Sequence, residues 1–281
     1  MFIRMSGLAA LLAASSALIA PAQSAPFAVT FSTGNPDGLI GTLTRPGGQG
    51  VLETETGDDF VLATNSHLTH ATFTGLLPSG VPLSSVSQVV TEIYRVFPLD
   101  SNNPPSGRVP TRANSPSDVA FLSRDSATGS LSFTKTLLSP SFTVANSVVN
   151  GINPIPGQFT GGEGPVTGQE VLFDITLSTP INLASGHYFF VPQVALSSGD
   201  FLWLSAPKPI VPPGTPFTPD LQSWIRNENL APDWLRIGTD ITHQGPFNAA
   251  FSLDGTIPEP ASLVLLALGL AGMAVARRKL G

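Results

Sequence analysis

The sequence predicts an all-β fold, a β-sandwich with a jelly-roll order as one arrangement of its strands. Short loop helices, an N-terminal signal helix and a C-terminal transmembrane helix are expected around it. Three observations carry this prediction. Val171, Phe173, Ile175 and Leu177 alternate with Asp174 and Thr176, and Phe247, Ala249, Phe251 and Leu253 repeat the pattern near the end, the period of a strand with one buried face. Gly and Pro, 27 of each in 281 residues, punctuate short apolar runs. Charged residues are only 11%, whereas 42% are apolar with 17 Phe, enough to bury a core.

Further strands are expected at Ala28 to Ser32, Asp59 to Thr64, Ala71 to Leu76, Gln88 to Phe97, Ser130 to Lys135, Ser141 to Val149, Tyr188 to Val194 and Phe201 to Leu204. Their Val, Ile, Phe, Thr and Tyr content suits a pleated, half-buried surface. Turns such as Asn102-Asn103-Pro104-Pro105 and Pro212-Pro213-Gly214 separate them. Asp220 to Arg226 reads as a short loop helix capped by Asp220, and Pro232 to Leu235 as a second helical turn. No internal repeat or composition break divides the body, so one domain is expected.

Composition excludes several classes. Without cysteine there is no disulfide scaffold, no Cys-ligated zinc and no thiol catalysis. A net charge of −6 argues against a nucleic-acid partner, which needs a basic surface.

The two ends read as addresses. Arg4, the apolar run Leu8 to Ala20 and the small residues Ala20-Pro21-Ala22 form a secretory signal peptide over 1–22, with a cut after Ala22 or, alternatively, after Ala25. The exported body is then 23–257. Pro258-Glu259-Pro260 opens the terminal segment 258–281, followed by the apolar span Ala261 to Ala276 and the cations Arg277, Arg278 and Lys279. As a helix that span covers roughly 24 Å, short of the ~30 Å hydrocarbon layer by a distance that snorkelling cations can bridge. The cations stop transfer and stay in the cytoplasm, which leaves the body outside the inner membrane.

This three-part tail resembles the PEP-CTERM sorting signal of Gram-negative bacteria. The resemblance implies that Pro258, Glu259 and Pro260 are recognised by exosortase, a membrane protease-transpeptidase. The C-terminal helix would hold the chain in the inner membrane until processing, and the outer envelope or the exterior would be its destination. It also implies an association with exopolysaccharide and biofilm. The body is similar to ectodomains that carry the same tail, on Asp58-Asp59-Phe60, Ser185-Gly186-His187-Tyr188-Phe189-Phe190, Trp203-Leu204-Ser205-Ala206-Pro207 and Trp234-Leu235-Arg236-Ile237-Gly238. That similarity transfers no site.

The candidate chemistry of the body is sparse. His67 and His70 lie three apart, on opposite faces of a strand unless a turn joins them, and no H-E-x-x-H pattern supports zinc. Glu53, Glu55, Asp58 and Asp59 are the densest carboxylates. Glu53 and Glu55 would share a strand face, and Asp58-Asp59 would follow Gly57 in a turn, as solvated charges or a calcium loop. A glycosidase would need two acids about 5–9.5 Å apart, which sequence does not place. No G-x-S-x-G elbow, Walker loop or dinucleotide fingerprint is present. No catalytic residue, metal or cofactor is therefore expected.

Trp224 and Trp234, with Asn227 and Asp233 beside them, are the residues that would build a sugar site if the indoles face solvent. The favoured reading is a sorted, non-enzymatic envelope or matrix protein associated with exopolysaccharide. The alternatives are a carbohydrate-binding module built on those tryptophans and, behind it, a polysaccharide hydrolase.

Overall fold

The computed structural model describes residues 27–258 apart from 49, 103, 105, 153–159 and 208–221, together with Gly269 and Met273, which are helical. The signal helix and almost all of the terminal apolar segment lie outside the described residues. Among the described residues no helix is long and apolar enough to cross a membrane.

The body is all-β. Its strands are β1 (Phe27–Ser32), β2 (Ile40–Leu43), β3 (Thr54–Leu62), β4 (Ser66–Pro78), β5 (Val86–Arg95), β6 (Leu122–Asp125), β7 (Leu131–Val144) and β8 (Asn146–Val148). They continue as β9 (Val166–Leu183), β10 (Gly186–Leu196), β11 (Leu202–Ala206), β12 (Trp224–Asn227), β13 (Leu235–Arg236), β14 (Asn248–Ala249) and β15 (Phe251–Ile257). A nine-stranded sheet contains β4 at its centre, and a six-stranded sheet runs β13-β12-β3-β10-β5-β6. The two sheets share one core in which Phe31, Phe73, Phe173, Trp203 and Phe251 of the first meet Phe60, Tyr188 and Phe190 of the second.

This order is not the eight-strand double Greek key of a jelly roll. The length of β4 explains the difference. One edge of β4 pairs with β9 from Ser66 to Pro78, and its other edge serves β15 and then β11 end to end. Gly75 makes room for that second partner. A Cβ there would lie 2.2 Å from the Phe201 ring, so only glycine lets Phe201 reach the core. Phe201 meets Phe173 edge-on at 5.2 Å, and Phe173 stacks on Phe73 at 4.8 Å.

Both faces of the second sheet are covered, and this overturns two sequence expectations. The connection between β5 and β6 folds back over the outer face and holds by Phe97 N–H to the Ser115 carbonyl, 2.9 Å, and Ser117 N–H to the Arg95 carbonyl, 3.0 Å. Beneath it lie Tyr94, Phe189, Val191, Trp224 and Trp234. The predicted loop helix over Asp220 to Arg226 is, in its described part, the strand β12, because β3 offers an unpaired edge to Trp224–Asn227. The second predicted helical turn is a bend into β13, and a π-helical turn follows later, at Ile237–Ile241. Ladder pairing here outweighs local helix preference.

Asp58 and Asp59 do not sit in a turn. β3 runs straight through Gly57, so the two aspartates point to opposite faces of the sheet.

Removing the central ring of the stack should be costly. Phe173→Ala is expected to destabilise the body by about 3–5 kcal/mol in urea unfolding. A loss under about 1 kcal/mol would contradict the packing described.

Candidate functional site

The most unusual chemistry of the body lies on the outer face of the second sheet. Glu55 of β3 and Arg226 of β12 are direct cross-strand partners, and their side chains form a buried ion pair. The Tyr94 hydroxyl, from β5, donates to Glu55 and receives Arg226 Nη2–H at 2.9 Å. The third group on that hydroxyl is Glu92 Oε2, at 3.2 Å. Arg226 Nη1–H donates to the Asp118 carbonyl of the covering connection, 2.8 Å. Its guanidinium lies 4.3 Å from the Trp234 ring centroid and 5.3 Å from that of Tyr94. Gln193, from β10, donates to Glu53 at 2.9 Å and closes the row.

Three carboxylates therefore gather around one guanidinium. Burial pushes Glu92 up, and the negative charges of Glu55 and Glu53 push it further, to about 8. It holds its proton as a hydrogen-bond partner of Glu55. Burial also raises Glu53, a rise that the Gln193 hydrogen bond opposes and the Glu55 charge reinforces. Burial raises Tyr94 strongly, with the Glu55 charge adding to it. For Arg226, burial favours loss of the proton, and the charge of Glu55 outweighs it and holds the guanidinium protonated. Glu92 and Glu53 are half-buried, whereas Glu55 and Arg226 are buried, so the row grades from solvent to interior.

The sequence-predicted sugar site is corrected by its burial. Trp224 is 2% exposed and Trp234 is fully enclosed, so neither indole presents a face to a ligand. Trp234 donates its N–H to the Ser117 carbonyl at 3.0 Å and meets Tyr94 edge-on at 5.4 Å. Asp233 is buried against Arg112, 3.0 Å away. Arg112 also holds Asp118 at 2.9 Å, so it ties the covering connection to the segment before β13. Asn227 accepts the Leu230 N–H at 3.0 Å and fixes a turn. The two tryptophans belong to the cluster under the covering connection, Asp233 is tied to it through Arg112, and Asn227 holds a turn.

The other polar candidates also have structural partners. Asp58 accepts from the Ser223 hydroxyl at 2.8 Å and from the Ala249 N–H at 2.9 Å, which stitches the two sheets together. Asp59 pairs with His187 at 2.7 Å. His67 and His70 do share one side of β4, brought there by a bulge at Thr69 rather than by a turn. They do not converge on a common ion. His67 faces Asn182, whereas His70 pairs with Asp174 at 2.7 Å. Among the described residues no group of three His, Asp or Glu could hold a metal ion.

A groove of about 500 Å³ opens elsewhere, between the Arg45–Val51 turn and the β10–β11 connection. Among the described residues it is lined by Ser87, Gln88, Leu196 and the Arg45–Asp200 ion pair, without an aromatic side chain.

The sorting segment follows β15 directly in the sequence. Ile257 pairs with Phe27, so the two ends of the body leave the larger sheet side by side. Pro258 follows directly and ends the ladder, because it has no N–H to donate. Glu259, Pro260, Arg277, Arg278 and Lys279 lie outside the described residues.

A protein-family model described as the PEP-CTERM protein-sorting motif matches residues 256–279. No curated protein and no solved structure matches the chain. The chain therefore carries a PEP-CTERM sorting motif, which implies export, transient anchoring at the C-terminus and processing by exosortase.

The row around Glu92 predicts a pH dependence of stability. The unfolded chain releases that proton near 4.5 and the folded chain near 8, so the folded state binds the proton more tightly between those values. Stability should then fall as pH rises through that window and level off above it. Glu92→Gln should flatten the fall and raise the melting temperature on the alkaline side, in thermal melts from about pH 5 to about pH 9. Parallel profiles for the two proteins would contradict the assignment.

Proposed function

We propose that this chain is a sorted envelope or matrix protein whose body is a non-enzymatic scaffold associated with exopolysaccharide, and that its destination is the outer envelope or the exterior. The observation that carries the proposal is the matched motif at residues 256–279, joined directly to the last strand of an all-β body.

Two features of the body support a scaffold. Its buried acids and histidines are engaged in contacts between strands, as with Glu55–Arg226 and Asp59–His187. Its charge is also one-sided. Nine basic and eighteen acidic residues in 23–257 leave that segment near −9. Such a surface resists adhesion to anionic lipid and permits divalent cations to bridge it to acidic polysaccharide.

Contact with a glycan on this reading uses exposed polar surface, including the Arg45–Asp200 groove, and not the buried tryptophans.

Replacing Pro258, Glu259 and Pro260 together with alanine tests the sorting part. The variant should stay with the inner membrane at unprocessed mass, whereas the unaltered chain appears at lower mass in the outer or extracellular fraction. Identical mass and distribution for the two chains would overturn the reading.

A further inference from the structure

The body meets its sorting motif without a spacer. The segment that matches the motif begins at Thr256, inside β15. Thr256 pairs with Ala28 on one side and His67 on the other, and Ile257 pairs with Phe27. Gly255 is pressed still closer to its neighbour. A Cβ there would stand 2.1 Å from the His67 carbonyl oxygen, so the backbones of β15 and β4 touch beside the bulge at Thr69. The first residues of the motif are thus ladder residues of the fold.

A backbone N–H engaged in a ladder is not available to a second one. A processing enzyme takes its substrate as extended chain, and attack on a folded protein proceeds through local opening. We propose that the folded body restrains its own sorting, and that exosortase acts on chains in which Gly255–Ile257 have left β1 and β4. This inference rests on the processing by exosortase that the motif implies. The step itself breaks one peptide bond. The acyl carbon passes to water or to an acceptor amine or hydroxyl, and the tail leaves as the new amine with the acceptor's proton.

The fold sets how far the opening runs. Ile257 has one strand partner, and Thr256 and Gly255 have two. Next inward along the buried face comes Leu253, 3% exposed, and then Phe251, which stacks on Phe190 at 5.3 Å. Release beyond Asp254 would draw these side chains from the core and so belongs to global unfolding. The end of β15 is a short catch with a firm stop behind it.

Two variants of the full chain, followed by pulse-chase in a host that carries exosortase, test the catch. The first inserts a Gly/Ser linker of about eight residues between Ile257 and Pro258, which frees the motif and leaves the body intact. The second, Phe27→Cys with Ile257→Cys, joins directly paired positions in a chain that has no other cysteine. Cross-strand spacing and an oxidising compartment both suit that disulfide. The linker chain should be processed about tenfold faster than the unaltered chain and the oxidised stapled chain about tenfold slower, because the rate follows the open population. Reductant should restore the stapled chain.

Equal rates for the unaltered, linker and oxidised chains would overturn the catch and leave the sorting reading intact. A linker chain whose Pro258-Glu259-Pro260 is replaced by alanines, and which is still processed as fast, would overturn the exosortase reading and the catch with it.

Discussion

The position of β15 inside the larger sheet is the constraint on which the rest of the structure depends. A C-terminal strand at a sheet edge could be removed with modest loss. This one lies between β1 and β4 and puts Phe251 and Leu253 into the common core. The turn before it is pinned as well. Trp203 donates its indole N–H to the Ala250 carbonyl at 2.9 Å, and Thr33 donates its hydroxyl to the Ala249 carbonyl at 2.6 Å. The sandwich closes only when the segment next to the motif has been delivered. Completion of the fold therefore depends on a strand whose last residues, Thr256 and Ile257, are also the first of the matched motif.

The second organising fact is that the smaller sheet is covered on both faces. The inner face meets the aromatic core, and the outer face lies under the connection between β5 and β6. Covering that face buries charges, and buried charge is tolerated when paired and hydrogen-bonded. Arg112 and Arg226 meet that need. Arg112 is enclosed among Asp118, Asp233 and the Ser115 hydroxyl, and Arg226 among Glu55, Tyr94 and the Asp118 carbonyl. The row around Glu92 follows from the same geometry, since three carboxylates beside one buried guanidinium favour retention of a proton.

The sequence was most legible where a strand has one polar face. Val171 to Leu177 lies within β9, and both the alternation and the facing residues are as read. It was least legible in β3 and β12, where both faces are buried and alternation disappears. Trp224, Ile225 and Arg226 are consecutive and all buried, so a period-two test finds no pattern. Asp220 as an N-cap then suggested a loop helix, although Trp224 to Arg226 belong to a strand and Arg226 lies over Trp234 under the covering connection. The carboxylates of β3 misled for the same reason. Their acidity was visible, but Arg226, Tyr94 and His187 are partners from distant parts of the chain. The bulge at Thr69 that reverses the expected faces of His67 and His70 had no local signal. The tail was legible because a linear motif is read without a fold.

Amide hydrogen exchange along β15 in the exported full chain tests the central claim most directly. The account predicts protection near the global level from Phe251 to Asp254, with intermediate protection through Gly255 and Thr256 that falls away at Ile257. Free exchange from Leu253 onward would show that the last strand is not held in the sheet, and would contradict the coupling of the fold to its sorting signal.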